Sequence, residues 1–344
     1  MTITDSWGVG IRAVGTYLPD KILTNYDLEQ MVDTTDDWIR SHIGVVERRI
    51  AADDQLSSDL GARALLDACA KSGINPLDID LIISGSNTPD HISPQTACRI
   101  IDKSGSLNAA GFDVKCGGCA GGVVALDVGS QYVATGRYKM VAVVLAEVTS
   151  KIVNWNDRTT CVILGDGAAC YLLSPCIREK GLLRTFIGNQ PSGYFAAYVP
   201  AGGRAMPITQ DVIDKGLDCF VMDGKAVWNF AHEVVPGLFR KLAFDLGMEP
   251  KDADLLIMHQ ANKTIVNNVM SMLEVPPEKA FCNIEKLGNT SSASVPLALA
   301  GALNAGLVKN GSLILMVSFG AGLTYGATAI RWCDPTDFIL DARS

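Results

Sequence analysis

The sequence predicts an α/β protein made of two similar halves, each with a sheet covered on both faces. A helical pattern, a glycine and Pro-x-Asp-x-Asp-Leu leading into an apolar strand occur at 73–83 and return at 247–257, 174 residues further along. Each half also contains a short strand that is apolar on every side, at 140–145 and 313–317. Duplication of one α/β unit explains both observations.

Length and composition agree with a large buried core. The chain has 344 residues, of which 48% are hydrophobic and 19% charged, and this excludes a disordered chain. We place the boundary between the halves after Ser174-Pro175, giving domains 1–176 and 177–344. The irregular, Gly- and Pro-rich stretch from 188 to 216 is a candidate loop or lid.

Charge and cysteine usage exclude several functions. The net charge of −8 argues against nucleic acid as a partner, although a local basic patch can still bind an acidic carrier protein. No apolar stretch reaches the roughly 18–20 residues of a membrane span, and the N-terminus lacks the pattern of a secretory signal. The ten cysteines are scattered, which favours free thiols in the cytoplasm over a disulfide framework.

The first candidate for chemistry is a cysteine segment between a strand ending near Val114 and a helix predicted over 123–133. A cysteine at a helix start is near the positive end of the macrodipole, so we expect a lowered pKa and an acyl-thioester nucleophile. Cys116 and Cys119 both qualify. Their Cys-x-x-Cys spacing also leaves open a redox pair, two buried structural thiols, or a zinc site, which lacks a second Cys-x-x-Cys here.

Three further segments follow apolar strands. His259 comes directly after the strand at 255–258, at the carboxyl end where α/β proteins collect ligands. Asn289 lies in a small polar run before a helix, where its amide could face an oxyanion or serve as a turn residue. The glycine-rich loop near Phe319 matches neither a Walker loop nor a dinucleotide fingerprint, so we expect it to form the floor of the site.

In this order, the four segments resemble the β-ketoacyl-(acyl carrier protein) synthase III family of the thiolase superfamily. The resemblance covers nearly the whole chain and is carried by Cys-Ala-Gly at 119–121, His-Gln-Ala-Asn at 259–262, Gly-Asn-Thr-Ser at 288–291, and the segments 9–19, 36–39, 165–168 and 319–322. It implies a thiolase-like fold of duplicated α/β halves in five αβαβα layers. It also implies a homodimer that needs no metal or cofactor, since the coenzyme A thioester is a substrate.

The resemblance also implies a mechanism. Cys119 in the first half attacks an acyl-CoA starter, and His259 and Asn289 in the second half stabilise the enolate formed when malonyl-(acyl carrier protein) loses CO2. The product is a β-ketoacyl thioester, made in fatty-acid initiation or in priming a polyketide or other secondary-metabolite pathway. The backbone N–H of Cys119 and one from the loop of Phe319, Gly320, Ala321 and Gly322 form the oxyanion hole.

The register of the family motif favours Cys119 over Cys116. The family places its cysteine five residues after the strand aspartate, whereas Cys119 is six residues after Asp113 and Cys116 is three. Cys119-Ala120-Gly121 matches the motif directly, so a one-residue insertion or bulge precedes it. Cys116 is the second choice.

Five positions are matched to substrate binding: Trp38, Arg158, Trp228, Asn262 and Ser93. Trp38 matches the residue that stacks on the adenine of coenzyme A, and Arg158 matches a second nucleotide-side residue. His42 stands where an arginine is usual, and Thr264 replaces a common carrier-docking arginine. Ser93 lies where a dimer mate usually puts a bulky side chain into the acyl pocket, so we expect a starter larger or more polar than acetyl.

Two alternatives remain beside condensation. The same scaffold could move the acyl group from Cys119 to a hydroxyl or amine, with His259 as general base. Such enzymes often lose the asparagine, and this chain keeps Asn289. A non-enzymatic, carrier-binding scaffold is disfavoured because all three triad residues are present.

Overall fold

The computed structural model describes residues 7–115 and 118–339. Its strands are β1 (Gly8–Tyr17), β2 (Lys21–Thr24), β3 (Glu47–Ile50), β4 (Leu81–Gly85), β5 (Ala110–Val114), β6 (Val141–Glu147), β7 (Gly167–Cys176), β8 (Gly181–Asn189), β9 (Ala197–Tyr198), β10 (Val221–Met222), β11 (Leu255–Met258), β12 (Leu313–Gly320) and β13 (Thr324–Arg331). Its α-helices are α1 (Asn25–Glu29), α2 (Asp36–His42), α3 (Ser57–Ser72), α4 (Thr96–Ser104), α5 (Gly121–Ala134), α6 (Gln210–Asp214), α7 (Gly224–Asp245), α8 (Lys263–Met272), α9 (Ile284–Leu287) and α10 (Ser294–Asn304).

Two sheets of the same topology form the framework. The first has the order β1-β7-β6-β4-β5, and the second has the order β8-β13-β12-β11. In each sheet one equivalent pair of strands is parallel, β6 with β4 and β12 with β11. The two pairs that follow on the β6 and β12 sides are antiparallel. A parallel bridge between Leu256 and Ala280 occupies the place of β5 in the second sheet. The predicted duplication is therefore confirmed.

The repeated Asp-x-Asp-Leu has the same structural task in both halves. Asp80 accepts hydrogen bonds from the backbone N–H groups of Lys139 and Met140, both at 2.9 Å, at the start of β6. Asp254 accepts one from Leu313 N at 2.7 Å, at the start of β12. The second aspartate of each repeat thus ties the beginning of one parallel strand to that of its neighbour.

The elements stack in five layers, as the resemblance implies. Helices α3 and α4 cover the outer face of the first sheet, and α7 with α8 covers the outer face of the second. Helices α5 and α10 lie between the sheets and contact both. Helices α5 and α10 form the middle layer and are buried along most of their length. A helix covered on all sides is apolar all round, as these two largely are.

The boundaries of several elements differ from the sequence patterns. Helix α5 begins two residues earlier than predicted, because Gly121 and Gly122 join it after a 3₁₀ turn at Gly118–Ala120. Helix α3 ends as predicted, at Gly73 in the left-handed conformation with φ of 70°. The stretch 188–216 contains the short elements β9 and α6 rather than being irregular throughout. Strand β7 ends at Cys176 and β8 begins at Gly181; the domain division at 176/177 stays a prediction.

Over the described ranges, no helix is both long enough and apolar enough to cross a bilayer.

Candidate active site

Cys119 lies in the 3₁₀ turn that leads into α5, between the two sheets. The hydroxyl of Ser318 on β12 donates a hydrogen bond to the carbonyl oxygen of Cys119 at 2.5 Å. Gly118 adopts φ of 62°, and a Cβ there would approach Ala321 N to 3.1 Å. The turn therefore rests directly on the β12–β13 loop, and a side chain at Gly118 would push them apart.

The thiol of Cys119 faces the segment after α9. Its Sγ lies 3.9 Å from Asn289 Oδ1 and 3.7 Å from Ser291 Oγ. Burial raises the pKa of the Cys119 thiol to about 11, and the hydrogen bonds to Ser291 and Asn289 only partly offset it. The expected lowered pKa was wrong, because desolvation of a thiolate between two sheets outweighs the favourable helix terminus.

Cys116, the second choice for the nucleophile, lies outside the described residues. The choice between the two cysteines stays a prediction in favour of Cys119.

His259 follows β11 and is held on three sides. Its backbone N–H donates to Val317 O at 2.8 Å, and its Nδ1 lies 2.6 Å from Ser294 Oγ. The edge of its ring meets Phe319, with ring centroids 5.3 Å apart. Burial lowers the pKa of His259 to about 3, so the imidazole is neutral at pH 7. The Ser294 hydroxyl can donate to Nδ1 or accept from it, and in the tautomer that carries its proton on Nε2 it donates.

Asn289 is placed by backbone pairing across the structure. Its N–H donates to Ile163 O at 2.9 Å, and it forms a parallel bridge with Leu164. Its Oδ1 accepts a hydrogen bond from Ser291 N at 2.8 Å, which assigns the oxygen and leaves Nδ2 as the group able to donate to a ligand. Ser291 adopts φ of 51°, a conformation uncommon outside glycine and typical of functional sites.

The segment predicted to form the floor of the site, 319–322, comprises the end of β12 and the start of its connection to β13. Phe319 is buried against His259 and Phe230, whereas Gly320, Ala321 and Gly322 are partly exposed. The approach of Gly118 to Ala321 N brings this loop beside Cys119. The oxyanion role of the four residues stays a prediction.

Trp38 and His42 of α2 meet Arg158, which comes from a distant part of the chain. The Trp38 and His42 rings stack at 4.6 Å, nearly parallel at 14°. The Arg158 guanidinium lies 4.5 Å from the centroid of the Trp38 ring. Arg40 points away and pairs with Asp36 at 2.7 Å, as its helical spacing predicts.

The other three predicted substrate residues have separate environments. Asn262 caps α8 through Oδ1, at 2.7 Å from Thr264 N, and its Nδ2 donates to His42 O at 3.0 Å. Trp228 on α7 packs against His232, with ring centroids 4.4 Å apart. Ser93 is exposed in the loop before α4. Substrate contacts of all three stay predictions.

Several polar residues beside the site escaped the sequence analysis. Ser291 and Ser294 lie in the motif around Asn289, and Ser318 lies on β12, but small hydroxyls carried no distinct signal. Glu147, at the end of β6, is completely buried and accepts a hydrogen bond from Ser292 at 2.6 Å. An acidic residue ending an otherwise apolar strand was the signal that could have found it.

Among the described residues, no three His, Cys, Asp or Glu side chains gather as a metal-binding group.

Comparison with known families agrees with this geometry. Residues 112–191 match the model described as 3-oxoacyl-[acyl-carrier-protein (ACP)] synthase III, and residues 244–332 match the model of its C-terminal part. A β-ketoacyl-[acyl-carrier-protein] synthase III of Caldanaerobacter subterraneus is 43% identical over 94% of this chain and 97% of its own length. That of Symbiobacterium thermophilum is 42% identical over 94% and 98%.

Solved structures show the same likeness. The 3-oxoacyl-[acyl-carrier-protein] synthase III of Aquifex aeolicus superposes with a TM-score of 0.86 at 35% identity, covering 94% of this chain and all of that one (100%). The priming β-ketosynthase of the R1128 polyketide pathway gives a TM-score of 0.89 at 29% identity, covering 97% of this chain and 99% of that one.

The five-layer fold, with a cysteine, a histidine and an asparagine near its centre, defines the class of thiolase-like acyltransferases. Within that class, the chain belongs to the 3-oxoacyl-(acyl carrier protein) synthase III family.

Proposed function

We propose that this protein condenses an acyl-CoA starter with malonyl-(acyl carrier protein), releasing CO2 and a β-ketoacyl-(acyl carrier protein). The observation that carries the proposal is the meeting of Cys119 with Asn289, its Sγ 3.9 Å from Oδ1. A neutral His259 packs on Phe319, the neighbour of the Ser318 that binds the carbonyl of Cys119. A thiol can carry the acyl group, and two neutral N–H donors suit a developing enolate better than an acid or a base does.

In the first step, Cys119 Sγ attacks the thioester carbonyl of the acyl-CoA. The carbonyl oxygen becomes an oxyanion, which the N–H of Cys119 and one from the Phe319–Gly322 loop stabilise. Coenzyme A leaves as its thiol, taking up the proton that Cys119 gives up. Since the pKa of Cys119 is about 11, the thiol is the resting form, and its proton must leave as the new bond forms.

In the second step, malonyl-(acyl carrier protein) loses CO2 and leaves an enolate. The enolate oxygen accepts hydrogen bonds from His259 Nε2 and Asn289 Nδ2, and its carbon attacks the acyl-Cys119 carbonyl. A C–C bond forms, the C–S bond to Cys119 breaks, and the thiolate takes a proton from water. Nδ1 of His259 contacts Ser294, and Oδ1 of Asn289 accepts from Ser291 N. The other nitrogen of each side chain is therefore the one available to the enolate.

Transfer of the acyl group to a hydroxyl or amine, the alternative reaction, is not favoured. It needs His259 as a general base near neutral pH, but burial holds the pKa of His259 at about 3. Asn289, which such transfer does not require, is present with its amide directed by Ser291.

We also propose a starter larger or more polar than acetyl, as Ser93 suggests. The relatives include synthases named for acyl carrier protein and one named for priming a polyketide pathway. Fatty-acid initiation and secondary-metabolite priming are therefore both compatible roles. Trp38, His42 and Arg158 supply the stacking surface for the adenine of the acyl-CoA.

A homodimer is part of the proposal. Strand β5 is the edge of the first sheet and pairs only with β4 among the described strands. Nearby apolar side chains are exposed, Leu107 at 69% and Ile92 at 92%. Because open edges are usually protected, a second copy pairing at β5 would complete this edge.

The described cysteines, all unpaired, are compatible with a reducing, cytoplasmic environment.

Intact-protein mass spectrometry after incubation with a panel of acyl-CoAs tests the proposal. We expect an acyl adduct on the wild type and on Cys116→Ala but not on Cys119→Ala. Malonyl-(acyl carrier protein) should clear the adduct and yield a β-ketoacyl product. An adduct that depends on Cys116, or one that malonyl-(acyl carrier protein) cannot clear, contradicts the proposal.

A further inference from the structure

Glu147 is a completely buried carboxylate at the end of β6 that the proposed reaction does not use. Its oxygens accept hydrogen bonds from Ser292 Oγ at 2.6 Å, Asn87 Nδ2 at 2.9 Å, Asn87 N at 3.1 Å and Thr88 Oγ1 at 3.1 Å. Each partner can donate, and the N–H groups can only donate. This arrangement suits an ionised carboxylate, which only accepts.

The Glu147 carboxyl group has no cationic partner. Among the described residues, none of the ion pairs includes Glu147, and burial raises its pKa against the lowering effect of its donors. Burying a carboxylate that is not paired with a cation costs free energy, and only its hydrogen bonds offset that cost here. The residues that donate them are therefore the place to look for a role.

The hydrogen bonds of Glu147 lead to the thiol. Asn87 Nδ2 donates to Glu147 and also lies 3.3 Å from Ser291 Oγ. Ser291 Oγ in turn lies 3.7 Å from Cys119 Sγ. Ser291 holds an uncommon φ of 51°, and its neighbour Ser292 is bound directly to Glu147. The carboxylate thus anchors the turn that contacts Cys119, from two sides.

We propose that Glu147 is a positioning residue that, through Asn87 and Ser291, fixes the orientation of the Cys119 thiol for attack on the thioester. This inference rests on the proposed function in so far as Cys119 is the acylated residue. Without the anchor, Ser291 loses one partner of its hydroxyl, and Sγ loses the group that directs it.

The charge of Glu147 has a second effect, which separates its role from simple packing. It adds to burial in raising the pKa of Cys119. Within the part of the chain that the structure describes, Glu147 is the one charged side chain that contributes to this shift, and His259 is neutral above about pH 4. Replacing Glu147 by an uncharged residue therefore moves the titration of Cys119 to lower pH.

The test compares three variants of the full chain. Glu147→Gln removes the charge and at least one acceptor, and Asn87→Ala cuts the link to Ser291 but keeps the carboxylate. Asp166→Asn is the matched control. Asp166 is also completely buried, and its side chain is bound by Ala51 N at 2.8 Å and Ser150 Oγ at 2.5 Å rather than by Asn87 or Ser292.

Two measurements are made on each variant at a temperature where all are folded. The first is the rate of acyl-Cys119 formation with an acyl-CoA. The second is the rate of Cys119 alkylation by iodoacetamide from pH 8 to 12, a range that brackets the pKa of about 11, followed by peptide mass spectrometry. Alkylation needs no substrate, so it tests the inference even if the wild type forms no acyl adduct, an outcome that would overturn the proposed function alone.

We expect Glu147→Gln and Asn87→Ala to acylate about tenfold or more slowly than Asp166→Asn, as loss of a directing hydrogen bond implies. The bend of the alkylation profile is the pH at which the rate reaches half its maximum. It should lie at lower pH in Glu147→Gln than in the wild type, whereas Asn87→Ala and Asp166→Asn should keep the wild-type bend. Equal acylation rates in all three variants, or an unmoved bend in Glu147→Gln, would overturn the inference.

Discussion

The Nδ1 atom of His259 and the hydroxyl of Ser294 lie 2.6 Å apart, and both residues are buried. The pair joins the loop after β11 to the first turn of α10. The imidazole is neutral, and the hydroxyl is compatible with a proton on either ring nitrogen, donating to Nδ1 when the proton is on Nε2. The proposed enolate stabilisation needs a donor on Nε2, and we expect Ser294 to favour that tautomer by donating to Nδ1.

Ser294→Ala should slow condensation about tenfold while leaving acylation of Cys119 unchanged. The variant frees Nδ1, and the imidazole then divides between two tautomers and loses its fixed orientation. Acyl-enzyme formation and CO2 release from malonyl-(acyl carrier protein) are measured separately. Ser294→Thr, which keeps the hydroxyl, is the control and should retain most activity. Equal loss of both steps would show that Ser294 only supports the fold.

Asn289→Asp should lower CO2 release about a hundredfold, the usual effect of losing one oxyanion donor. In the wild type, Ser291 N lies 2.8 Å from Asn289 Oδ1. The aspartate keeps an oxygen for this N–H but removes the Nδ2 donor. Asn289→Ala removes both functions and is the comparison for structural damage. If Asn289→Asp released CO2 at the wild-type rate, the assigned role of the amide would be wrong.

The buried His259 predicts acid sensitivity of the fold. Its pKa is about 3 in the folded protein and about 6.5 when unfolded, so below pH 6.5 the unfolded state binds a proton that the folded state does not. Stability is unaffected above that pH and falls as pH drops, by about 2 kcal/mol between pH 7.5 and 5.

Urea unfolding at both pH values measures this contribution. His259→Asn has no titrating group there, and the difference between wild type and variant isolates the imidazole from other acid-sensitive groups. A pH dependence identical in the two proteins would mean that His259 is accessible to protons in the folded state.

Trp38→Ala should raise KM for acyl-CoA about tenfold with kcat unchanged, because stacking on an aromatic ring is worth about 1–3 kcal/mol per base. The test substrate pair is an acyl-CoA and the matching acyl-pantetheine, which lacks the adenine. With acyl-pantetheine, wild type and variant should have equal KM. A matching rise for both substrates would place the effect of Trp38 elsewhere than on the nucleotide.

Ser93→Phe should shift starter preference toward acetyl-CoA. In the proposed homodimer, residue 93 of one copy borders the acyl pocket of the other, and a phenyl ring would fill that space. Acylation rates with acetyl-, butyryl-, isobutyryl- and hexanoyl-CoA measure the preference of each protein. A wild type that prefers acetyl-CoA, or a variant with the unchanged preference of the wild type, would contradict the proposal.

Local patterns predicted the architecture well because they report local forces. The repeated Asp-x-Asp-Leu predicted the duplication, and the structure shows Asp80 and Asp254 tying equivalent strands together. Apolar strands predicted sheets covered on both faces, and the family resemblance implied the five layers. Boundaries moved by a few residues where short 3₁₀ turns such as Gly118–Ala120 precede helices, since their hydrogen bonds leave no periodic signal.

The reactivity of the site could not be predicted in the same way. The pKa of Cys119 was expected to fall, from its place before a helix, and it rises to about 11. A helix terminus is visible in the sequence, whereas the depth at which two sheets bury it is not. The hydrogen-bond partners of Glu147 are residues 87, 88 and 292. No sequence pattern predicts contacts between residues so far apart in the chain.

The sequence by itself determined the family, the duplicated fold and the identity of Cys119, His259 and Asn289 as the residues to examine, because each belongs to a short motif with a recognisable local context. Only the tertiary structure decided how these groups titrate and what holds them, including Ser294 on His259 and the route from Glu147 to the thiol. Protonation and orientation depend on burial and on through-space contacts, which exist only once the two halves have packed together.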